Sequence, residues 1–237
     1  MPLSPSISET IELLRTLPIF GPLLQEDLAV LAAQCRSDWF KAGETIFRQG
    51  DPCTRLWLIH RGQVKIIRHD ENGREVVPEI LADGEAFGGA TIFFTHQPAT
   101  AQALTDTETV SFPSGVYADF LRENPEVALS FIRMLGGRLQ TFMVASVLTG
   151  ERVERRLAHI LIKLAERVGQ PDYEGRLIPI PLSRQDLADM TGTTIETAIR
   201  VMSRFRSDGL VKTRRGGYIV LLDCERLQQI ARTESTG

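Results

Sequence analysis

Cysteine is scarce: Cys35, Cys53 and Cys224 are the only ones in 237 residues. Their number is odd, their spacings are wide and no Cys-x-x-Cys pair exists, which argues against a disulfide framework or a zinc ribbon. The four histidines, His60, His69, His96 and His159, lack metal-ligand spacing as well. No apolar run approaches the roughly 18 residues that a membrane span needs. Met1 to Thr10 has no basic segment followed by an apolar one, so no secretory leader is expected. No Ser-His-Asp, metal or phosphate-loop pattern points to an enzyme. These absences predict a soluble, cytoplasmic, non-enzymatic protein without a metal or a membrane partner. What is present is an ordinary globular composition, 43% hydrophobic and 24% charged. It is long enough for two domains.

The net charge of −3 disfavours a general nucleic-acid coat, but it is unevenly spread. Residues 151–237 carry 15 Lys and Arg against 12 Asp and Glu, leaving 12 against 18 for the rest. Between Thr194 and Gly217 stand Arg200, Arg204, Arg206, Lys212, Arg214 and Arg215, opposed only by Glu196 and Asp208. An acidic body with one basic cluster predicts a polyanion contact confined to one module. A solvated helical face would look similar.

Two short helices are expected at Ser8 to Leu17 and Gln25 to Gln34, the first stopped by Pro18 and Gly21-Pro22. From Phe40 to Phe112 glycines recur at 43, 50, 62, 73 and 84, separated by β-rich runs such as Leu56-Trp57-Leu58-Ile59 and Val64-Lys65-Ile66-Ile67. Asn72-Gly73 is a strong hairpin signal and Asp83-Gly84 a second turn. Short strands at regular spacing predict an antiparallel sandwich or jelly roll. A short helix over Tyr117 to Leu121 then leads to a long one. Asn124 is its expected N-cap, with Pro125 and Glu126 in the first turn.

Within the long helix Ala128, Ile132, Leu135, Leu139, Phe142, Ser146 and Thr149 are spaced alternately by 4 and 3. That is a coiled-coil seam, with Ile132, Leu135, Leu139 and Phe142 as its apolar members. The other reading is a helix lying on its own β domain. Gly136-Gly137 costs about 1 kcal/mol per residue relative to Ala but permits close backbone approach. A further helix spans Glu151 to Val168 and ends at Gly169-Gln170-Pro171.

The run from Leu182 to Phe205 carries the function. Ser183 caps one helix, with Asp186 in capping-box position. Gly192 sits where the turn requires positive φ. A second helix follows, with Ala198, Val201, Met202 and Phe205 inward and Glu196, Arg200 and Arg204 on its outer stripe. Asp208-Gly209 ends it. Lys212 to Leu221 then reads as strand, Gly216-Gly217 tip and strand, flanked by Arg214 and Arg215. Together these form a winged helix-turn-helix. A helix fits the major groove, where Arg pairs with guanine O6 and N7 and Glu accepts from cytosine N4. The plainer reading is that Thr193 and Glu196 form a capping box and Glu196–Arg200 a surface pair.

At this point the chain resembles, over nearly its whole length, the cyclic-AMP receptor/fumarate-nitrate regulator (CRP/FNR) family of bacterial transcription factors. Leu14 to Phe20 is similar to its leader. Gly43-Glu44-Thr45-Ile46-Phe47-Arg48-Gln49-Gly50-Asp51-Pro52 and Leu58 to Lys65 are similar to the opening of its β-roll. Thr194-Ile195-Glu196-Thr197 with Arg200 is similar to its recognition helix. The resemblance implies an α+β fold: a cyclic-nucleotide-binding-like antiparallel β-roll over 1–124, a dimerisation helix over 125–150 and a winged helix-turn-helix over 151–237. It implies a homodimer on a palindromic double-stranded DNA operator, with RNA polymerase as a further partner. Ser183, Arg184 and Gln185 would touch phosphates and Glu196 and Arg200 would read bases. Thr194, Thr197, Arg204, Lys212, Arg214 and Arg215 complete the expected DNA-binding set. Ile195 and Ile199 stand where relatives often carry polar reading residues, so the operator stays open.

The resemblance also places an effector pocket at Gly88, Gly89, Ala99 and Thr100. Cyclic-AMP binders carry Gly-Glu and Arg-Ser pairs at these positions. A buried phosphate without its cation is costly, so tight cyclic-AMP binding is not expected. Three scattered thiols cannot offer four ligands to an iron–sulfur cluster. Phe87 to Ala90 and Pro98 to Ala103 resemble denitrification regulators, some of them thought to sense nitric oxide through haem, which leaves haem open with His96 as ligand. Cys35 or Cys53 as a redox switch is a further option, and the effector stays unassigned. The competing reading is a nucleotide-binding regulatory module acting on a partner protein. It leaves the basic wing without a purpose.

Overall fold

A computed structural model describes residues 6–17, 20–69, 75–88, 94–147 and 152–232. The chain forms two compact units, the first mainly residues up to Thr141 and the second mainly from Phe142 onward.

The first unit opens with helices α1 (Ile7–Thr16) and α2 (Gln25–Ala32). Ser6 starts α1: its hydroxyl accepts from the Glu9 amide at 3.2 Å, and the Glu9 carboxylate accepts from the Ser6 amide at 2.7 Å. This capping box starts the helix at Ile7, one residue earlier than the expected Ser8. Eight strands follow: β1 (Arg36–Phe40), β2 (Thr45–Phe47), β3 (Arg55–Arg61), β4 (Val64–His69), β5 (Glu75–Leu81), β6 (Ala86–Phe87), β7 (Thr100–Ala103) and β8 (Thr107–Pro113). They make two four-stranded sheets, ordered β1-β8-β3-β6 and β2-β7-β4-β5. The expected Asn72-Gly73 turn lies outside the described residues.

Strand β3 shows why a continuous apolar run belongs in this sandwich. A strand buried on one face alternates in hydropathy, whereas one buried on both does not. Trp57 and Ile59 point into the space between the sheets, with Phe47, Val64, Leu81, Phe87 and Ala101. Leu56 and Leu58 point the other way, into a cluster with Leu14, Phe20, Leu28 and Leu31. The Trp57 and Phe87 rings stack at 5.8 Å, and Phe47 lies 4.8 Å from Trp57. Gly88, at φ +74°, passes over this stack; a Cβ there would lie 2.7 Å from the Trp57 ring.

Helix α3 (Ser114–Glu123) is longer than the expected Tyr117 to Leu121. Its Tyr117 is fully buried, edge-on to Phe20, Phe112 and Phe131. Helix α4 (Pro125–Val147) begins at the expected proline. The Asn124 side chain does something other than the expected capping: its amide donates back to Phe120 O at 3.1 Å, closing α3.

The reading of α4 as a helix lying on its own β domain holds for part of its length. Val127 and Phe131 are buried in the helix–sheet cluster and Leu135 packs against it, so this seam member serves the chain's own core. Ile132 and Leu139 are each 61% exposed and Leu129 45%. The helix therefore has a second apolar face. A Cβ at Gly136 or Gly137 would meet no atom within 4 Å, so among the described residues nothing answers the close approach they permit. The Phe142, Ser146 and Thr149 side chains lie outside the described residues. Among the described residues no helix is long and apolar enough to cross a membrane.

The second unit contains α5 (Val153–Val168), β9 (Gln170–Asp172), β10 (Gly175–Ile178), α6 (Arg184–Thr191), α7 (Ile195–Ser207), β11 (Val211–Thr213), β12 (Ile219–Leu221) and α8 (Cys224–Arg232). Its sheet runs β11-β12-β10-β9. The sequence predicts the β11–β12 wing but not the β9–β10 hairpin that extends the sheet. The core gathers Leu157, Leu161, Ala198, Phe205, Val220 and Leu227, all at most 1% exposed.

Candidate nucleic-acid interface

Helix α6 starts as expected. Ser183 Oγ accepts from the Asp186 amide at 3.0 Å, and the Asp186 carboxylate accepts from the Ser183 amide at 2.9 Å. These bonds satisfy donors that a helix start otherwise leaves open. Gln185 donates to the Asp189 carboxylate at 2.6 Å. Of the three residues expected at phosphate, two therefore have polar atoms engaged within the helix. Arg184 is exposed.

Gly192 ends α6 in the left-handed region, at φ +61° and ψ +40°. An L side chain there costs roughly 1–2 kcal/mol, which glycine avoids. From α5, Arg156 Nε donates to Thr191 O at 2.8 Å. That satisfies one of the carbonyls left open at the helix end. This brace has no signal in the α6–α7 segment itself.

The cap of α7 is Thr194, whose hydroxyl accepts from the Thr197 amide at 3.3 Å. The alternative capping box from Thr193 to Glu196 is therefore not the one used. Arg200 reaches the Thr197 hydroxyl at 3.5 Å. Glu196 is exposed, and its carboxylate meets no partner among the described residues, Arg200 included. The plainer surface-pair reading thus fails. Glu196 and Arg200 stand one turn apart on the outer face, and Ala198 and Phe205 pack inward. Arg204 departs from the expected stripe. It bonds Glu154 of α5 at 3.3 Å and lies 3.9 Å from Asp208.

The wing forms with Val211 opposite Leu221 and Thr213 opposite Ile219. Its tip closes through Arg214 N donating to Tyr218 O at 2.8 Å. Its cations are not all free. Lys212 Nζ lies 2.6 and 2.9 Å from the two oxygens of Glu174. Arg214 makes a two-pronged bond to Asp172, at 2.8 and 2.9 Å, and a third to Glu174 at 3.2 Å. The Tyr173 ring covers the same guanidinium at 5.2 Å. The bonds from Arg214 lower the Asp172 pKa, those from Lys212 and then Arg214 lower the Glu174 pKa, and the Arg214 pKa is raised in turn. Arg215 at the tip is exposed.

In the first unit the expected effector positions only partly come together. Gly88 lies against Trp57, Ala99 is buried, and the Thr100 hydroxyl accepts from Gln49 N at 2.9 Å. Gly89 lies outside the described residues. Gln97 is 3% exposed, and its side-chain nitrogen has no partner among the described residues. His96 is exposed, with Nδ1 2.9 Å from the Thr95 hydroxyl. Burial pushes the Cys35 thiol up to about 11, so it stays protonated at neutral pH. Burial also raises the Cys53 pKa. A reactive thiol needs the opposite shift.

Known proteins share both units. Residues 155–230 match the Crp-like helix-turn-helix domain and residues 38–124 the cyclic nucleotide-binding domain. A CRP-like cAMP-activated global transcriptional regulator of Mycobacterium tuberculosis is 30% identical over 224 residues, covering 93% of this chain and 99% of the relative. The fumarate and nitrate reduction regulatory protein of Escherichia coli is 27% identical over 190 residues, covering 80% of this chain and 76% of the relative. Among solved structures, FixK2 from Bradyrhizobium japonicum shares the fold, with a TM-score of 0.76 at 21% identity over 85% of this chain and 99% of that one. These matches favour a DNA-binding regulator over a module that acts on a partner protein. With a β-roll, a capped helix-turn-helix and a wing in one chain, the protein belongs to the CRP/FNR family of transcription regulators and is not an enzyme.

Proposed function

We propose that two copies pair through α4 and present their α7 helices to the two half-sites of a palindromic DNA operator. The observation that carries this reading is the outer face of α7. An unpaired carboxylate and a guanidinium stand there one turn apart, at the N-terminal end of a capped, exposed helix. Phosphates repel an acid that has no partner, so Glu196 suits a base edge rather than the backbone. Arg200 supplies the two-donor fork that fits guanine. Arg184 and Arg215 supply phosphate contacts, and Ser183 and Gln185 serve first to hold α6. Thr194 caps α7 and Thr197 steadies Arg200.

Pairing rests on the second apolar face of α4. Ile132 and Leu139 are one heptad apart and exposed, and the open Gly136-Gly137 step admits a close neighbour. An effector in the β-roll would bias the arrangement of the paired helices. RNA polymerase is the partner that family membership suggests.

The effector is not cyclic AMP on this reading. The relative from M. tuberculosis is described as cAMP-activated, but here Ala99 and Thr100 stand where a cyclic phosphate needs a cation. The Thr100 hydroxyl is already used by Gln49. Calorimetry is expected to show no tight cyclic-AMP binding; micromolar affinity would overturn that part alone. Selection of bound fragments from random DNA tests the main reading. Inverted half-sites one helical turn apart are expected. A chain that is monomeric, or indifferent to palindromes with every ligand tried, refutes it.

A further inference from the structure

Two of the three wing cations are already engaged inside their own domain. Lys212 sits on Glu174 and Arg214 on Asp172 and Glu174, so these four residues together carry no net charge. Both acids lie in the β9–β10 hairpin, about forty residues earlier in the chain. We infer that Asp172 and Glu174 are specificity-determining residues: they hold Lys212 and Arg214 away from phosphate and so suppress binding to non-operator DNA. The inference deepens the DNA-binding reading above and rests on it.

Geometry and electrostatics agree on this. The Asp172 carboxylate is fixed by its own turn, where it accepts from Glu174 N at 3.1 Å. It therefore meets the Arg214 fork in a set position. The two parallel bonds between them are of the strong, charge-assisted kind, in the geometry that a phosphate would otherwise claim. Tyr173 covers a face of the same guanidinium. A phosphate approaching Arg214 must displace a carboxylate and then face its negative charge.

Holding the sheet together does not require these pairs. Backbone register already ties β10 to β12 through Arg176↔Leu221 and Ile178↔Ile219, and β12 to β11 through Lys212↔Val220. The Lys212–Glu174 pair, with Lys212 exposed, adds little to stability; the Arg214–Asp172 pair is half-buried, so its loss is to be tracked by melting as well as by DNA binding. Their effect falls on sequence-independent affinity, which comes almost wholly from cations that displace counterions at phosphate. Base reading by Glu196 and Arg200 is untouched, so the pairing widens the gap between operator and generic duplex.

The test compares the full chain with Asp172→Asn/Glu174→Gln on the selected operator and on a shuffled duplex of equal length, across a salt series. Shuffled-duplex binding is expected to tighten about tenfold at fixed salt. Its log–log salt slope should steepen by about 1.8, from about 0.9 for each of two released cations. Operator affinity rises by no larger factor. Adding Lys212→Gln and Arg214→Gln to the same variant should return the shuffled-duplex behaviour to that of the parent. Should the double variant fail to fold, Glu174→Gln alone is expected to steepen the slope by about 0.9. Unchanged or weaker shuffled-duplex binding in a variant that melts like the parent overturns the inference and leaves the DNA-binding reading intact. A parent chain that binds neither duplex at low salt overturns that reading itself, and the inference with it.

Discussion

Helix α7 and the wing carry the same kind of side chain; Arg204 of α7 is paired with Glu154, but the residues at the N-terminal end of α7 and those of the wing are held in opposite ways. On α7, Arg200 touches only a threonine hydroxyl and Glu196 has no partner among the described residues. On the wing, Lys212 and Arg214 are bound by two acids of the same domain. Counting basic residues makes the two regions equal contributors. The structure divides them into a reading surface with free polar atoms and a neutralised flank where, among the described residues, Arg215 is the cation without an acid partner. What a cation offers to DNA depends on the acids already beside it, and those can come from elsewhere in the chain.

Arg200→Ala should give the largest effect and is the sharpest test of that contrast. It is expected to cost roughly 1–3 kcal/mol at the selected operator and to relax preference at one guanine. Footprinting or a binding titration on base-substituted operators measures both. The side chain is exposed, so the melting temperature should hold. If Arg200→Ala weakened every duplex equally, α7 would behave as a phosphate contact and the contrast with the wing would disappear.

Arg215→Ala is expected to be smaller and of a different kind. It should weaken operator and shuffled duplex by the same factor and make the salt slope shallower by about 0.9. Lys212→Ala, tested alone, should change either duplex by less than Arg215→Ala does. Its charge is already matched by Glu174 at 2.6 Å. Equal effects of the two would mean that the Glu174 pair opens on DNA.

The helix-turn-helix is legible in the sequence because its signals are local. Ser183 and Asp186 are three residues apart, Gly192 occupies the one position that requires positive φ, and the Ala198–Phe205 face repeats with the helix period. The β-roll is legible for a similar reason, through turn glycines at regular spacing and the run Leu56 to Ile59. The β9–β10 hairpin is not, since Gln170-Pro171-Asp172 and Gly175 to Ile178 are too short for hydropathy to alternate detectably. Only Glu174-Gly175 hints at a turn. Its acids meet Lys212 and Arg214 across a sheet whose register no local pattern reveals. The long helix falls between these cases. Its spacing announces an apolar seam, yet cannot say that Leu135 packs on the body while Ile132 and Leu139 stay exposed.

The smallest expected effect concerns pH. The carboxyls of Asp172 and Glu174 are lowered from ordinary values of 3.8 and 4.5, chiefly by bonds from Arg214 and Lys212 respectively. A lowered acid keeps its pair at every pH above its ordinary value and loses it only as pH falls through the lowered one. The affinity of Asp172→Asn/Glu174→Gln for shuffled duplex, divided by that of the parent, should therefore stay constant from about pH 8 to about pH 5.5. Taking the ratio removes other titrations common to both proteins, such as that of His159, whose pKa is lowered by burial. Well below pH 4.5 the parent should approach the variant as its own carboxylates take up protons. If the parent gained on the variant between pH 8 and pH 5.5, those carboxyls would have to be raised rather than lowered. The wing would then be free of its acids in solution, and the division between reading helix and neutralised flank would fail.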